Sequence, residues 1–527
     1  MNTKGKKYLS ALAFLTALLL ISFVNIISAI QNDGMEGDEV FSYISATSTG
    51  GFKGICYLND QTWYDADYFR NAVTATGTER FNIGMVVENQ VMDTHPPLFY
   101  LFLNLICSVF EGQYSRWFGI FLNIFFMLWV EIGLYLLILY FIHDKRIALI
   151  ASTIFCCSRL AVSMTLFIRM YVLLMALTLF TSLYHLKLYD EMTAVHEYSV
   201  KKHWKTCLIL SLLTISGALT HYYFLVYQFL ISAFFIIALL YQKRYRNIGR
   251  YLAVMAGSAV IYLIMYPASV YHILFKYRGR DAVHKFLKES SIFKEVSSVL
   301  SSFNSYLFKG TLWILAALLL IFTIILLIKG NIVHNQFIKL GFSIIPSLIY
   351  FYGISKASPY AIIRYISPVA ALLYAAVVIW AKYLLDVIKR AKIRNAAYVA
   401  LCAYLFFTSF YFFTPSIKAS YFTERQNIVN NIAKDTDYCV YIGGEGSYWK
   451  MWEDYVNYPA FQGLYFIDGE QKNPITDKKL LEQDKLMIYL ETALEPEEIF
   501  SYLQLYLPLQ QYEIQYTTAY TYIISAQ

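Results

Sequence analysis

Residues 117–142 read WFGIFLNIFFMLWVEIGLYLLILYFI, an apolar run in which Glu131 is the only charge. A helix of about 18 or more such residues crosses the hydrocarbon of a bilayer, because it satisfies its own backbone hydrogen bonds where no water can. Working outward, comparable apolar segments lie near 8–30, 97–110, 147–167, 169–188, 206–220, 222–241, 251–272, 309–329, 337–354, 361–386 and 396–414. The segment 97–110 is too short to cross comfortably and suits a shallow or re-entrant helix. The expected fold is therefore an all-α polytopic membrane protein of about eleven or twelve transmembrane helices.

Composition agrees. Of 527 residues, 58% are hydrophobic and 15% charged, against about 25% charged in a soluble domain. The net charge of +7 reflects basic clusters at span ends, which are retained on the cytoplasmic side. These are Lys4/Lys6/Lys7, Lys145/Arg146, Lys187 with Lys201/Lys202, Lys243 to Arg250, and Lys389 to Arg394. No soluble basic face is left for a nucleic acid. The same count places Arg169, His221, the loop 276–308 and the neighbourhood of Arg364 on the outer side, with eleven crossings and an external C-terminus. The first apolar run is long for a signal sequence, so an uncleaved first helix is expected.

Two domains are expected. Residues 1–414 form the transmembrane domain, which includes an outer loop, 31–96. There Trp63, Tyr64, Phe69 and Phe81 alternate with acids and suit amphipathic helices on the membrane surface. Residues 415–527 read as a small extracytoplasmic α/β domain, with strands at Cys439–Ile442 and Leu486–Leu490, a helix at Pro496–Tyr506 and a final hairpin at Tyr512–Ser525. Gly443-Gly444-Glu445-Gly446 lacks the lysine and spacing of a nucleotide loop and reads as a turn. Seven cysteines show no metal-type spacing, and only Cys56 and Cys439 lie where a disulfide is conceivable.

Chemistry concentrates in short polar motifs at the outer ends of spans, where ionisable groups are costly. Asp38-Glu39 follows the first span and offers a carboxylate on a rigid support, suited to a general base. Asp93-Thr94-His95-Pro96-Pro97 opens the next apolar helix. Its prolines serve helix entry, whereas Asp93 and His95 offer ligands for a phosphate, a sugar hydroxyl or a divalent ion. Arg169-Met170-Tyr171, His221-Tyr222-Tyr223 and Arg364-Tyr365 are each bland alone, since Arg and Tyr populate membrane interfaces. Several cations at one outer boundary nevertheless suit a phosphate. Glu131 either pairs inside the bundle or marks a bend.

In this order along the chain, Asp38-Glu39, His95-Pro96-Pro97-Leu98, Arg169-Met170-Tyr171, His221-Tyr222 and Arg364-Tyr365 resemble the bacterial protein O-mannosyltransferase-like (ArnT-like) glycosyltransferases of the GT-C superfamily. The resemblance covers roughly residues 1–414. It implies a polyprenyl-phosphate sugar donor entering from the lipid and transfer at the outer face of the plasma membrane; direct displacement of a hexose-type sugar there, without a covalent intermediate, would be inverting. The acceptor would be a hydroxyl on a protein, a cell-envelope glycopolymer or a glycolipid. It also implies Asp38 as catalytic base with Glu39 beside it. Arg364, Arg169 and His95 would hold the donor phosphate, with Tyr171, His221, Tyr222 and Tyr365 at the donor site. Some relatives use a divalent metal, for which Glu39, Asp93 and His95 are candidates. One departure is Leu166-Phe167-Ile168, where relatives often carry a Gln-Glu pair. The principal rival is a transporter or flippase of a lipid-linked saccharide, which would favour internally repeated halves. No repeat is evident.

Overall fold

The computed structural model describes all residues except 1–2, 33, 195–202, 288–291, 329–333, 359, 361, 411–418, 445–447, 472, 474 and 519–520. Lys201, Lys202, Glu445 and Gly446 therefore lie outside the described residues. Two compact units emerge. The first comprises Met1–Ser28, Thr94–Phe99 and Ile120–Ser416, and the second Ala29–Asp93, Tyr100–Gly119 and Ile417–Gln527.

The first unit is helical. Among the described residues, seven helices of the chain are long and apolar enough to cross a membrane: Tyr8–Gln31, Arg116–Ile142, Tyr171–Ala194, Tyr223–Tyr241, Tyr245–Met265, Ile338–Ala357 and Ser367–Asp386. An eighth is present if the pair Lys294–Phe308 and Leu312–Ile324, bent by 87°, counts as one span. This is a multi-pass membrane architecture. Tyr171–Ala194 packs on Trp204–Ala218, Tyr223–Tyr241 and Ser367–Asp386, and His334–Ala357 covers the latter two.

Several expected spans are broken, each for a local reason. The run 147–167 is two helices, Lys145–Cys156 and Arg159–Leu166. Ser158 separates them, and its side chain accepts the Ala161 N–H at 3.2 Å as an N-cap. The run 251–272 stops at Met265, and Pro267 starts a separate helix, Ala268–Leu274. The expected loop 276–308 is instead two helices, Tyr277–Leu287 and Ile292–Phe308. The span expected from 361 begins at Ser367, after the single turn Ile363–Tyr365, with proline in its first turn. Leu98–Val109 is short, as expected, at 12 residues. Glu131 pairs inside the bundle, accepting from Ser152 at 2.7 Å and Thr153 at 3.2 Å.

The second unit is built on a six-stranded sheet. Its strands are β1 (Thr62–Tyr64), β2 (Tyr438–Gly443), β3 (Gly463–Asp468), β4 (Leu486–Glu491), β5 (Tyr512–Thr517) and β6 (Thr521–Ala526), in the order β1-β3-β2-β4-β6-β5. β2 runs parallel to β3 and β4; the other pairs are antiparallel. β2 and β4 are buried along nearly their whole length, as their unbroken apolar runs require. β1 comes from the outer loop and pairs Thr62 with Phe466 and Tyr64 with Leu464. This corrects the reading of the loop aromatics as surface helices. Trp63 packs on Tyr465 and Tyr438, and buried Phe69 lies against Trp452 and Tyr458. Cys56 and Cys439 are buried thiols rather than a disulfide.

Gly51 fixes one corner of this unit. Its φ is +54°, and a Cβ there would stand 2.8 Å from the Asn89 side chain. That amide donates to the Ser45 and Ser48 carbonyls at 3.0 and 2.9 Å. Gly51→Ala adds the left-handed penalty to displacement of a buried amide, so a loss of about 2–4 kcal/mol is expected. Thermal unfolding in detergent measures it, and an unchanged midpoint would contradict the assignment.

Candidate active site

In the first unit, the polar motifs are held by turns whose carbonyls and amides are themselves tied down. The Leu98 N–H donates to the Leu219 carbonyl at 2.9 Å, which fastens the His95-Pro96-Pro97 entry beside the turn at His221. That turn is tight. A Cβ on Gly217 would meet the Phe224 ring at 2.3 Å, so only glycine allows the chain to double back there. The segment before Arg169 is held by Asn123, whose amide donates to the carbonyls of Thr165 and Phe167 at 3.1 and 2.9 Å. Arg364 sits on the Ile363–Tyr365 turn, where Ser367 donates to its carbonyl at 2.8 Å and Tyr350 to that of Tyr365 at 3.1 Å.

These turns gather most of the expected donor-site residues. Arg169, only 6% exposed, stands 3.4 Å from the His95 Nε2. A guanidinium cannot accept, so it donates, and the neutral imidazole is the form that receives it. The Arg364 guanidinium lies 5.3 Å from the ring centres of both Phe167 and Tyr365. Tyr171 stacks on Phe167 and meets His221 at 5.9 Å and Tyr365 at 6.2 Å. Tyr223 closes the ring set, 4.8 Å from His221 and 5.8 Å from Tyr365. The Tyr223 N–H donates to His221 Nδ1 at 3.0 Å, which leaves the neutral ring's proton on Nε2.

Two members were not anticipated. Tyr222 points its hydroxyl at His272 Nδ1, 2.6 Å away, and His272 is 2% exposed. Tyr266 packs on His272 at 6.0 Å and donates to the His95 carbonyl at 3.3 Å. Both lie in the run 251–272, where apolar neighbours conceal them; the only available signal was a histidine just after Pro267. Together, two guanidinium groups, three imidazoles and several hydroxyls stand beside aromatic faces. Planar guanidinium forks match phosphate oxygens, and the rings suit an apolar chain or a sugar face.

In the second unit, Asp38 and Glu39 lie in the first turn of the Gly37–Thr47 helix. Glu39 is buried, and its carboxylate accepts the Glu36 N–H at 2.8 Å, closing the helix start. Asp38 is half-buried. The helix is firmly seated. Tyr43 donates to the Ser115 carbonyl and accepts the Gly119 N–H, both at 2.9 Å, and Asn104 donates to the Ala46 carbonyl at 2.7 Å. The Arg116 guanidinium donates to the carbonyls of Ala29 and Asn32. Asp93 ends the Ile83–Met92 helix and is half-buried. Among the described residues no group of three His, Cys, Asp or Glu side chains is placed to hold a metal ion.

The architecture has counterparts among solved structures. The crystal structure of ArnT from Cupriavidus metallidurans bound to undecaprenyl phosphate matches 100% of this chain and 98% of that one, with a TM-score of 0.53 and 11% sequence identity. Its apo form matches 98% of each chain at a TM-score of 0.49 and 11% identity. An Archaeoglobus fulgidus oligosaccharyltransferase tethered with an acceptor peptide matches 97% of this chain and 73% of that one, at a TM-score of 0.46 and 12% identity. No family model and no curated protein matches the sequence. The chain shares the overall fold of the ArnT structure bound to undecaprenyl phosphate.

Proposed function

We propose that this protein is a membrane glycosyltransferase that moves a hexose-type sugar from a polyprenyl-phosphate donor to an acceptor hydroxyl. Transfer takes place at the extracytoplasmic face of the plasma membrane. The supporting observation is the cation-and-ring cluster of the helical unit. Arg169 with His95, and Arg364 over Phe167 and Tyr365, converge from segments far apart in sequence. An amphiphile with a phosphate head and an apolar tail satisfies both halves of that cluster.

In this mechanism the acceptor hydroxyl attacks the anomeric carbon as the bond to phosphate breaks, through an oxocarbenium-like state. Asp38 takes the hydroxyl proton. Arg364, Arg169 and His95 stabilise the charge that develops on the departing phosphate, where fixed donors act most strongly. Tyr171, His221, Tyr222 and Tyr365 shape the donor site, and Glu39 keeps the helix of Asp38 in form. A single displacement inverts the anomeric centre.

The test is incubation of the purified protein with radiolabelled polyprenyl-phosphate hexoses and a panel of protein, glycopolymer and glycolipid acceptors. Transfer of label with inversion supports the reading. Movement of the lipid-linked sugar across proteoliposome membranes without any transfer would replace it with a transporter.

A further inference from the structure

In the second unit a groove opens at the far end of the helix that carries Asp38. The Gly37–Thr47 helix is capped at its C-terminus by Ser48, and a cavity of about 470 Å³ lies against that end. Small-molecule sites occupy about 300–1,000 Å³, so the groove is large enough to be one. Ser48 and Thr49 form one wall. Tyr68 and Asn71 of the Ala66–Ala72 helix, and the turn Gly77–Glu79 with its cap Thr76, form the rest. At about 1.5 Å of rise per residue, Ser48 lies about 15 Å along the helix axis from Asp38.

The walls are fixed by their own hydrogen bonds. Ser48 donates to the Ala72 carbonyl at 2.7 Å. The Glu79 carboxylate joins the two sides. One of its oxygens accepts the Thr49 N–H at 3.0 Å, and the other accepts the Thr76 N–H at 3.3 Å and hydroxyl at 3.2 Å. Tyr68 donates its hydroxyl to the Ile55 carbonyl at 2.6 Å, so what remains for a ligand is its ring. Asn71 and Thr78 are exposed, and their side chains have no hydrogen-bond partner among the described residues.

The groove's charge narrows the ligand. Its lining holds no Lys, Arg or His, and neighbouring Arg80 is turned to the Ser108 carbonyl at 2.9 Å and to Glu111. Nothing there balances a phosphate or an acidic peptide. Hydroxyls and an amide instead match a ligand that both donates and accepts along its length, while Tyr68 and Ile55 add an apolar face. A neutral saccharide has this chemistry. We infer that the groove binds neutral sugar residues of the acceptor, which is therefore a saccharide chain rather than a bare protein. The acceptor role rests on the transferase reading; the saccharide site rests on the groove alone. Sugars held there are remote from the hydroxyl that reacts at Asp38, and their binding energy serves to position it.

The test begins with the intact protein in detergent, applied to an array of neutral and anionic oligosaccharides with Ser/Thr-rich peptides alongside. Binding is expected on neutral glycans. The double variant Asn71→Ala/Thr78→Ala changes only exposed side chains and should unfold at the wild-type temperature. Titration calorimetry with the strongest neutral glycan is expected to show its affinity weakened about tenfold, the effect of two lost hydrogen bonds. No bound neutral glycan, a preference for anionic glycans or peptides, or equal affinity in the variant overturns the inference. Transfer kinetics then address the acceptor role. The variant should raise acceptor KM about tenfold with kcat and donor KM unchanged, the mark of lost uniform binding. An unchanged acceptor KM removes the groove from acceptor binding. Glycan binding by a protein that transfers nothing supports the site and sinks the transferase reading alone, whereas transfer to peptides only overturns the saccharide acceptor and leaves the transferase standing.

Discussion

Asp38→Asn is expected to reduce sugar transfer by at least about a hundredfold and by as much as ten-thousandfold, the range a positioned general base supplies. Asparagine matches aspartate in size and keeps one side-chain oxygen, and the described bonds of the helix start are made by other groups. Glu39 receives the Glu36 N–H, and Ser42 bonds the Asp38 carbonyl at 3.2 Å rather than its side chain. The variant should therefore unfold at the wild-type temperature and bind donor normally. The measurement is initial rate with labelled polyprenyl-phosphate hexose at saturating acceptor. Near-normal transfer by a folded Asp38→Asn protein would remove this residue from the role.

Arg364→Ala comes second, with an expected loss of about a hundred- to a thousandfold in kcat/KM for the donor. This is the usual effect of removing one fixed group that stabilises developing charge. Arg364→Lys should recover only part of that loss, because an ammonium restores the charge but not the planar two-pronged grip. The guanidinium lies over Phe167 and Tyr365, and lysine also cannot lie flat on both rings. Acceptor KM should hardly move. Equal damage to donor and acceptor kinetics would mean that Arg364 supports the fold rather than the phosphate.

Long spans were legible because length and apolarity alone decide them. Residues 117–142 and 169–188 return as Arg116–Ile142 and Tyr171–Ala194. Breaks were harder to see. The interruption at Ser158 depends on one side chain capping a new helix, and an apolar average over 147–167 hides it. The sheet was half legible. β2, β4 and the hairpin have strong apolar or alternating patterns, whereas β1 is three residues whose partner lies about 400 positions away, beyond any local pattern.

The candidate site divides the same way. His95, Arg169, His221 and Arg364 stood out because charge at the mouth of a membrane is costly. Their mutual arrangement, with Tyr171 bridging His221 and Tyr365, depends on how the helices pack. His272 and Tyr266 escaped notice because each is a lone polar group in an apolar run, and only the close approach to Tyr222 and His95 gives them meaning.

The pairing of β1 with β3 also constrains how the chain is threaded. Two strands that share hydrogen bonds occupy one compartment, so the polypeptide between Tyr64 and Gly463 traverses the bilayer an even number of times. Among the described residues, six of the seven long apolar helices fall in that interval. Any additional traverse, by the bent pair at Lys294–Phe308 and Leu312–Ile324 or by a shorter helix such as Trp204–Ala218, is therefore matched by another. The strand also waits for its partner during synthesis, since residues 62–64 are made long before 463–468 exist.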